Sequence, residues 1–178
     1  MIGNDVIDLV LAHKESNWKR KGFLNKIFTP QEQGIIANAQ NPEITLWSFW
    51  SRKEAAYKIY NRQTQIRAFI PLQLECFDIE QKDGILFGNV VCYNAIYFTK
   101  TYINSEYIET IAVVQKDDFK NVKYLNSDVN ITKINGIPNY YDTKNMTLKP
   151  LSKSHHGRFE KCIGFICSLL FFCCFMNI

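Results

Sequence analysis

The chain has 178 residues, of which 47% are hydrophobic and 14% aromatic, and its formal net charge is +4. This composition provides enough apolar mass for a hydrophobic core and excludes a disordered or fibrous protein. The small basic excess is compatible with phosphate ligands and with acidic protein partners. Because the sequence contains no Gly-aromatic RNA motif, zinc-finger spacing or long basic helix, we expect no nucleic-acid partner.

The first segment, residues 2–10, alternates loosely between apolar and polar positions and predicts a β-strand. Two carboxylates, Asp5 and Asp8, lie inside this apolar run, and the period of a strand places them on opposite faces. These acids and the lack of a basic leader argue against a signal peptide. We therefore expect a cytoplasmic protein.

A basic stretch at residues 11–27 follows and is compatible with a helix. Directly after it, the segment from Thr29 to Glu32 is a capping box with proline at the first helical position. It predicts a helix from Pro30 to about Ala39, where the approach to an Asn-Pro pair ends the helical pattern.

The strongest helix prediction covers residues 44–61, because this segment is rich in good helix formers and contains neither glycine nor proline. We interpret Trp47 and Trp50 on this helix as core anchors. Glu54 and Lys58 are four residues apart and therefore share one face. On spacing alone they would be a surface ion pair worth about 0.3–0.5 kcal/mol.

Residues 66–116 are rich in β-branched and aromatic residues and contain period-two stretches, which predicts an antiparallel meander. Turns are expected at Lys82-Asp83-Gly84 and at Asn104-Ser105. Residues 117–150 are polar and are predicted to be a loop with room for one short element. The fold class predicted from this order is α+β, with helices packed against an antiparallel β-sheet.

The end of the chain, residues 162–176, is uncharged and almost wholly apolar. It is shorter than the roughly 20 residues that a membrane span needs, so we expect a buried terminal strand or helix and no membrane partner. We divide the chain into a single domain at residues 1–160 and an atypical Cys/Phe-rich tail at residues 161–178. The six cysteines show neither metal-ligand spacing nor a disulfide framework, and we expect reduced thiols.

Asp5 is costly to bury in an apolar strand unless it is paired, hydrogen-bonded to a loop or bound to a cation. If folding brings Glu54 near it, the two carboxylates make a hard-oxygen site suited to Mg²⁺, completed by waters and substrate phosphates. Lys58, one helical turn further on, could then neutralise phosphate charge. If the three residues meet, they are therefore suited to a metal ion and a phosphate-bearing ligand.

A compact polar cluster lies near the end of the chain at Ser154, His155, His156 and Arg158. One interpretation is a loop with exposed histidines. The other is a set of hydrogen-bond donors for a phosphate or a nucleotide. The His-His pair by itself is weak evidence for zinc, since no further ligands have the required spacing.

Four segments resemble the motifs of the 4′-phosphopantetheinyl transferase superfamily, in an order seen in that family. The family patterns are a Gly-x-Asp start, a Phe-Thr-x-x-Glu segment, a Trp-Ser-x-Lys-Glu-Ala-x-x-Lys helix and a Ser-His segment. The helix motif is the specific one, whereas Gly-x-Asp alone carries no weight. The matching segments are GNDVIDL at 3–9, FTPQEQ at 28–33, WSRKEAAYK at 50–58 and SHHGRF at 154–159.

The resemblance implies transfer of the 4′-phosphopantetheine arm of coenzyme A to a serine of a carrier protein, with release of adenosine 3′,5′-bisphosphate. By position, Asp5 and Glu54 would hold Mg²⁺, and Glu54 and Lys58 would be the catalytic residues. Lys58, Ser154 and His155 would bind coenzyme A. The carrier would be an acyl or peptidyl carrier protein of fatty-acid, polyketide or peptide synthesis.

Further, weaker roles follow from the same resemblance. Arg52 and Lys53 are candidates for phosphate contacts. Glu32 matches the family glutamate, although its place in the capping box already explains it. Ile7 stands where the two-lobed branch of the family often has a second acidic metal ligand.

The motif order resembles the small holo-acyl-carrier-protein synthase branch, whose subunits assemble with active sites at their interfaces, so the resemblance allows a homotrimer. The inserted region at residues 66–150 could instead complete the site within one chain. After Phe159, family members continue as a strand of small and apolar residues, whereas Glu160-Lys161 and a Cys/Phe-rich tail follow here.

Carrier proteins of this kind are acidic, and the basic stretch offers Lys19, Arg20 and Lys21 as docking residues. A solvated basic face is the alternative interpretation. The alternative function is a non-catalytic module of the same fold that binds coenzyme A or an acidic carrier protein.

Overall fold

The computed structural model describes residues 1–126, 129–143 and 146–165. The helices within these residues are α1 (Leu9–Glu15), α2 (Phe23–Ile27), α3 (Pro30–Asn38) and α4 (Pro42–Thr64). The strands of the first half are β1 (Ile2–Asp8), β2 (Leu74–Lys82), β3 (Ile85–Cys92), β4 (Ala95–Ile103) and β5 (Tyr107–Val113). Those of the second half are β6 (Val122–Tyr124), β7 (Ile131–Ile134), β8 (Ile137–Asp142), β9 (Thr147–His156) and β10 (Phe159–Phe165).

The strands form two antiparallel five-stranded sheets, in the orders β1-β5-β4-β3-β2 and β6-β10-β9-β8-β7. The first strand, β1, lies at one edge of the first sheet and also packs against β9 and β10 of the second. On its other side it packs against α4. The predicted α+β class is confirmed, and β1 is the place where helix and both sheets meet.

Close packing of α4 on β1 depends on Gly3. A β-carbon at this position would lie 2.0 Å from the carbonyl oxygen of Ala55, which is far inside van der Waals contact. The helix buries Leu46, Phe49 and Ile59 completely in the same core. Gly3 therefore lets the strand and the helix that carry the acidic residues approach each other directly.

The predicted start of α3 is confirmed. Thr29 and Glu32 form the capping box, with the Thr29 side chain accepting from the Glu32 amide and the Glu32 side chain accepting from the Thr29 amide. The strongest predicted helix is longer than expected, because Asn41 caps it and Pro42 occupies its first turn. Trp47 on this helix is buried in the core, as predicted.

The basic stretch at residues 11–27 is not one helix. Asp8 caps α1, which ends at Glu15, and a loop leads to Gly22, whose φ of +81° precedes the short α2. The left-handed conformation at Gly22 is open to glycine at little cost and interrupts the helix. The predicted strand at residues 2–10 is correspondingly shorter and ends at Asp8.

The prediction of a loop at residues 117–150 is wrong. The described part of this interval contains β6, β7, β8 and the start of β9. The strands are polar because much of their surface is exposed, and all four residues of β7 are exposed. The turn between β7 and β8 is Asn135-Gly136, with φ values of 52° and 76°, and this dipeptide is a hairpin signal that the sequence offered.

The two predicted turns of the meander are confirmed. Asp83 and Gly84 have φ values of 51° and 76° between β2 and β3, and Asn104 accepts the amides of Glu106 and Tyr107 between β4 and β5. The cysteines within the described residues, Cys76, Cys92 and Cys162, are buried free thiols.

The last described strand, β10, crosses the predicted boundary at residue 161. It pairs with β9 from Phe159 to Gly164 and with β6 from Ile163 to Phe165, so Glu160-Lys161 do not interrupt the strand that follows the Ser-His segment. The rest of the predicted tail, residues 166–178, lies outside the described residues. In the part of the chain that the structure describes, no helix is long and apolar enough to cross a membrane.

Candidate active site

Asp5 on β1 lies beside Lys58 on α4, with 3.8 Å between the Asp5 Oδ1 and Lys58 Nζ atoms. Burial raises the pKa of Asp5 to about 6, and the nearby charge of Glu54 acts in the same direction. Lys58 and the Ser51 hydroxyl oppose this rise. Asp5 and Lys58 thus lie side by side, and Glu54 is close enough for its charge to act on Asp5.

Glu54 and Lys58 do not form the ordinary exposed pair that their spacing alone suggests. Burial raises the pKa of Glu54 and lowers the pKa of Lys58, in each case against the attraction of the opposite charge. The Lys58 ammonium donates hydrogen bonds to the main-chain oxygens of Asn4 and Lys153. It therefore joins α4 to β1 and to β9.

Ser154 reaches the same region through Asn4, the neighbour of Asp5 in β1. The Asn4 side-chain amide donates to Ser154 Oγ at 3.0 Å and to the main-chain oxygen of Lys161 at 3.1 Å. The Asn4 backbone amide donates to Ser152 Oγ at 2.9 Å, and Ser152 donates back to the Asn4 side-chain oxygen at 2.7 Å. These bonds fix the register of β9 against the strand that carries Asp5.

The histidines and the arginine of the polar cluster lie at the end of β9 and in the turn that follows it, and they differ in exposure and partners. His155 is exposed. His156 is half-buried, and its Nδ1 atom accepts the backbone N–H of Asp8 at 2.9 Å. Arg158 binds the Asp8 carboxylate through its backbone amide and its guanidinium. Two of the four predicted donors, His156 and Arg158, thus hold the turn in place.

Residues 1–112 match the model of the 4′-phosphopantetheinyl transferase superfamily. The chain belongs to this superfamily. A search of curated proteins finds no significant match.

The superfamily match covers β1, the helices and the first sheet up to β5, and so includes Asp5, Glu54 and Lys58. Membership indicates a phosphopantetheinyl transferase. Ser154 and His155 lie beyond the matched residues. Their connection to the transferase site comes from the hydrogen bonds that join β9 to Asn4.

Lys53 is not placed for the phosphate contact that its position in the helix motif suggested. It is buried, and its ammonium binds Glu32 Oε2 at 2.7 Å and the main-chain oxygens of Ile27 and Pro71. The other Glu32 oxygen accepts the amide of Cys76. Glu32 therefore has two structural roles in this transferase: it caps α3, and it is the counter-charge of the buried Lys53.

Arg52 is equally unsuited to a phosphate contact. Its side chain is buried and donates to Thr99 Oγ1 at 3.0 Å and to the main-chain oxygens of Phe77 and Asn89. These partners belong to β2, β3 and β4. The residue fastens α4 to the middle of the first sheet, and the prediction of phosphate contact for Arg52 is wrong.

The proposed docking residues Lys19, Arg20 and Lys21 lie in the exposed loop between α1 and α2. Lys19 stacks over the ring of Trp18 and Arg20 over the ring of Phe23, with 5.3 Å and 5.4 Å to the ring centroids. The three cations are available at the surface of the transferase, next to its helical side.

The donor set at Asp5 and Glu54 fits Mg²⁺. Sites for this ion use one or two protein carboxylates and leave the remaining positions to waters and substrate phosphates. Burial raises the pKa of both carboxyls, and the charge of Glu54 raises the pKa of Asp5 further; a bound cation would favour the ionised form of both acids. Among the described residues no group of three or more His, Cys, Asp and Glu side chains is placed to hold a metal, so a site built wholly from the protein is not indicated there.

Sequence reasoning missed the residues that connect the two sheets. Asn4, Asp8 and Arg158 lie within the matching segments, but the motifs do not predict that Asn4 bonds Ser152 or that Asp8 pairs with Arg158. Arg62 was missed as well. It lines a cavity of about 130 Å³ with Lys58 and Ser152, while its guanidinium donates to the main-chain oxygens of Pro138 and Leu151.

Proposed function

We propose that this chain transfers the 4′-phosphopantetheine group from coenzyme A to a serine of an acyl or peptidyl carrier protein and releases adenosine 3′,5′-bisphosphate. The observation that carries the proposal is the convergence of Asp5, Glu54 and Lys58 at β1, within the part of the chain that matches the superfamily. A carboxylate pair next to a half-buried ammonium is suited to a pyrophosphate, because a metal ion held by the carboxylates and the ammonium itself can both balance the negative charge of the phosphates.

Asp5 and Glu54 would hold Mg²⁺ in this proposal. The bound ion would supply positive charge that stabilises the pyrophosphate oxygens as the bond to the leaving group breaks. Lys58 would donate a hydrogen bond to the same phosphates. Burial lowers its pKa, but the charges of Asp5 and Glu54 favour the protonated form that donates this bond.

The group transfer itself needs one bond to form and one to break. The serine oxygen of the carrier attacks the phosphorus that bears the pantetheine arm, and the bond from this phosphorus to the bridging oxygen breaks. The adenosine 3′,5′-bisphosphate leaves with the electron pair. In this proposal Glu54 would accept the serine proton.

Ser154 and His155 would bind the nucleotide end of coenzyme A. Ser154 is held by Asn4, beside Asp5 in sequence and in space. His155 is exposed on the same strand and can turn toward a ligand. The geometry supports a bound coenzyme A that extends from β9 toward α4.

One chain brings all these elements together, since β9 and β10 pack on β1. We propose that the inserted region completes the site within the monomer. The homotrimer that the small branch of the family implies stays a prediction, as does the cytoplasmic location. Activity in a monomeric fraction from size-exclusion chromatography would support the single-chain site, and activity confined to a trimer peak would contradict it.

The alternative of a non-catalytic module was motivated by the unusual residues after the Ser-His segment. Because β10 continues as a paired strand through Glu160 and Lys161, these residues give no reason to prefer that alternative. A module of this kind would bind coenzyme A or the carrier without forming product.

The decisive experiment incubates the full chain with coenzyme A, Mg²⁺ and an apo acyl carrier protein and measures the mass of the carrier. We expect the mass to increase by one phosphopantetheine arm. Glu54→Gln should reduce the rate at least about 100-fold, whereas Glu43→Gln on the same helix, whose partner is His13, should not. Transfer by Glu54→Gln at the wild-type rate would contradict the assignment, and binding without transfer by the wild type would favour the module.

A further inference from the structure

A cavity of about 470 Å³ lies between the end of α3, the first half of α4 and the strands β2, β3 and β4. Its volume falls within the range of pockets that hold small molecules. None of the residues proposed to bind the metal or coenzyme A lines it, so it is separate from the candidate active site. The large apolar residues of its lining are Ile35, Ile44, Phe49, Ile79, Leu86 and Ile103.

Two exposed isoleucines lie at the mouth of this cavity. Ile35 of α3 is 43% exposed and Ile79 of β2 is 41% exposed, although both line the cavity. The pairing of β2 with β3 shifts its register between Phe77 and Glu80. An irregularity of this kind bends a strand and redirects its side chains, so the position of Ile79 at the mouth depends on it.

The wall of the cavity contains a buried hydroxyl without a partner. Ser48 is 3% exposed, and its Oγ atom makes no hydrogen bond with any residue that the structure describes. The other two polar side chains of the lining have internal acceptors. The Asn38 amide donates to the main-chain oxygen of Gly34, and the Thr45 hydroxyl donates to that of Asn41. Ser48 is thus the donor that is left for a ligand.

Water alone is a poor partner for the Ser48 hydroxyl. A buried water needs about three hydrogen bonds, and the surroundings of this hydroxyl are mainly apolar. A charged ligand is equally unsuited, because none of the lining residues that the structure describes is charged. Such a ligand would lose its hydration without gaining a counter-charge. The phosphate-bearing substrate of the proposed reaction is therefore excluded from this cavity.

We propose that the cavity binds a neutral aliphatic molecule with one hydrogen-bond acceptor, such as an alcohol, an ester or an amide. The acceptor binds the Ser48 hydroxyl, and the aliphatic chain lies against the isoleucines. This inference goes beyond the proposed function and does not depend on it. It assigns to the first half of α4 a ligand site of its own, whereas Glu54 and Lys58 lie on later turns of the same helix.

The test titrates the full chain at pH 7.5 with two probes of equal chain length, without coenzyme A or carrier protein. The neutral probe is 1-octanol, and the charged probe is octanoate. Isothermal titration calorimetry gives each Kd, and the Tm is measured on the same mixtures. The Tm of each variant without a probe shows that it is folded.

Three variants probe the two ends of the ligand. Ser48→Ala removes the donor, and Ile79→Asp places a charge at the mouth of the cavity. Ile96→Asp is the control for the second change, because Ile96 is an isoleucine of similar exposure, 52%, on the neighbouring part of the sheet. It lies seven residues before Ile103 in β4, and the alternation of side chains along a strand places the two on opposite faces.

We expect 1-octanol to raise the Tm by about 3–6 °C at ten times its Kd and octanoate to bind at least about tenfold more weakly. Ser48→Ala should raise the Kd for 1-octanol about three- to tenfold. Ile79→Asp should raise it at least about tenfold, and Ile96→Asp should stay within twofold of the wild type.

Four results would overturn the site. They are no saturable binding of 1-octanol, tighter binding of octanoate than of 1-octanol, no effect of Ser48→Ala, and equal affinity of Ile79→Asp and Ile96→Asp. A concentration-dependent dimer that Ile79→Asp abolishes and Ile96→Asp retains would assign the cavity to a second copy of the chain, and it too would overturn the proposal. Since no readout involves group transfer, each result leaves the proposed function untouched.

Discussion

The Asp8 carboxylate accepts hydrogen bonds from three nitrogens of Arg158, its backbone amide at 3.1 Å and two guanidinium nitrogens at 2.8 and 3.1 Å. The same carboxylate caps α1 by accepting the amides of Val10 and Leu11. The turn between β9 and β10 is thereby fastened to the end of β1. Residue 157 in that turn must be glycine, since a β-carbon at this position would lie 2.6 Å from Asp8 Oδ2.

This pair predicts a pH-dependent loss of stability in Asp8→Asn. Arg158 holds the pKa of Asp8 well below its ordinary value of 3.8. A depressed carboxyl pKa contributes stability that is fully present above the ordinary value and is lost as the pH falls toward the folded value. Asp8→Asn should therefore be less stable than the wild type at pH 7, and the difference should shrink below about pH 4.

Urea unfolding between pH 3 and pH 8 measures this difference. Glu160→Gln is the control, because the Lys153–Glu160 ion pair belongs to the same hairpin but is exposed and should contribute little. A deficit of Asp8→Asn that is constant over this pH range would show that the carboxylate charge is not what fastens the turn.

Lys53→Met is expected to destabilise the protein by about 3–5 kcal/mol, because it leaves the Glu32 carboxylate buried without its counter-charge. Both side chains are at most 1% exposed. Lys14→Met, at an exposed lysine of α1, is the control and should change stability by less than about 0.5 kcal/mol. The measurement is the free energy of unfolding in urea.

The double variant Glu32→Gln/Lys53→Met separates the charge from the packing. It should be more stable than Lys53→Met alone, since no buried charge is left unpaired. If the single and double variants lose the same stability, the effect arises from packing of the lysine stem.

The contrast between Lys53 and Lys58 shows how far the sequence could predict the site. Both lysines belong to one helix motif, and the motif predicts a site role for Lys58 and Glu54. The burial of Lys53 follows from the closing of α2 and the 71–73 turn over it, which is a long-range arrangement. A pattern of residues along one helix carries no information on what covers each face.

The fold was predictable where a few neighbouring residues determine the local structure. The capping box before α3 and the hairpin turn at Asp83-Gly84 are local, and both predictions are confirmed. The second sheet was not predicted. All residues of β7 are exposed, so its sequence lacks the alternation of apolar and polar residues that indicates a strand. Its role at the site depends on Asn4 and Ser152, whose pairing spans 148 residues.

Asn4→Ala should weaken the connection between the two sheets. Asn4 is fully buried, and the change removes the side-chain bonds to Ser152 and Ser154 while the backbone amide still donates to Ser152, at a cost of about 1–3 kcal/mol. We expect a rise in KM for coenzyme A that exceeds the rise in KM for the carrier. Ser152→Ala, which removes one partner, should show a smaller effect of the same kind, and an equal rise for both substrates would contradict a selective role of β9.

Mg²⁺ should stabilise the wild type without any substrate. At a concentration ten times the dissociation constant, binding to the native state alone adds about 1.4 kcal/mol, or about 3–6 °C in Tm for a chain of this length. Asp5→Asn and Glu54→Gln should lose this increase, whereas Glu43→Gln should keep it. The readout is independent of activity, and an equal increase in all four proteins would place the ion elsewhere.

Asp5→Asn should make the metal-free protein more stable at pH 7.5 while abolishing transfer. The pKa of Asp5 is raised from 3.8 to about 6, so the folded state binds this proton more tightly than the unfolded chain. The protonated carboxyl contributes stability that is fully present below the ordinary value and is lost as the pH rises through about 6. Removing the charge restores up to about 3 kcal/mol above that pH.

The gain should be smaller than this limit, because Lys58 loses its partner at 3.8 Å in the same variant. Comparison of urea unfolding at pH 5 and at pH 7.5 isolates the charge, since the advantage of Asp5→Asn should be present mainly at the higher pH. Saturating Mg²⁺ should reverse the order, because the ion stabilises the ionised wild type and does not bind the variant. A variant that is less stable than the metal-free wild type at pH 7.5 would show that Asp5 is already satisfied by Lys58 and needs no cation.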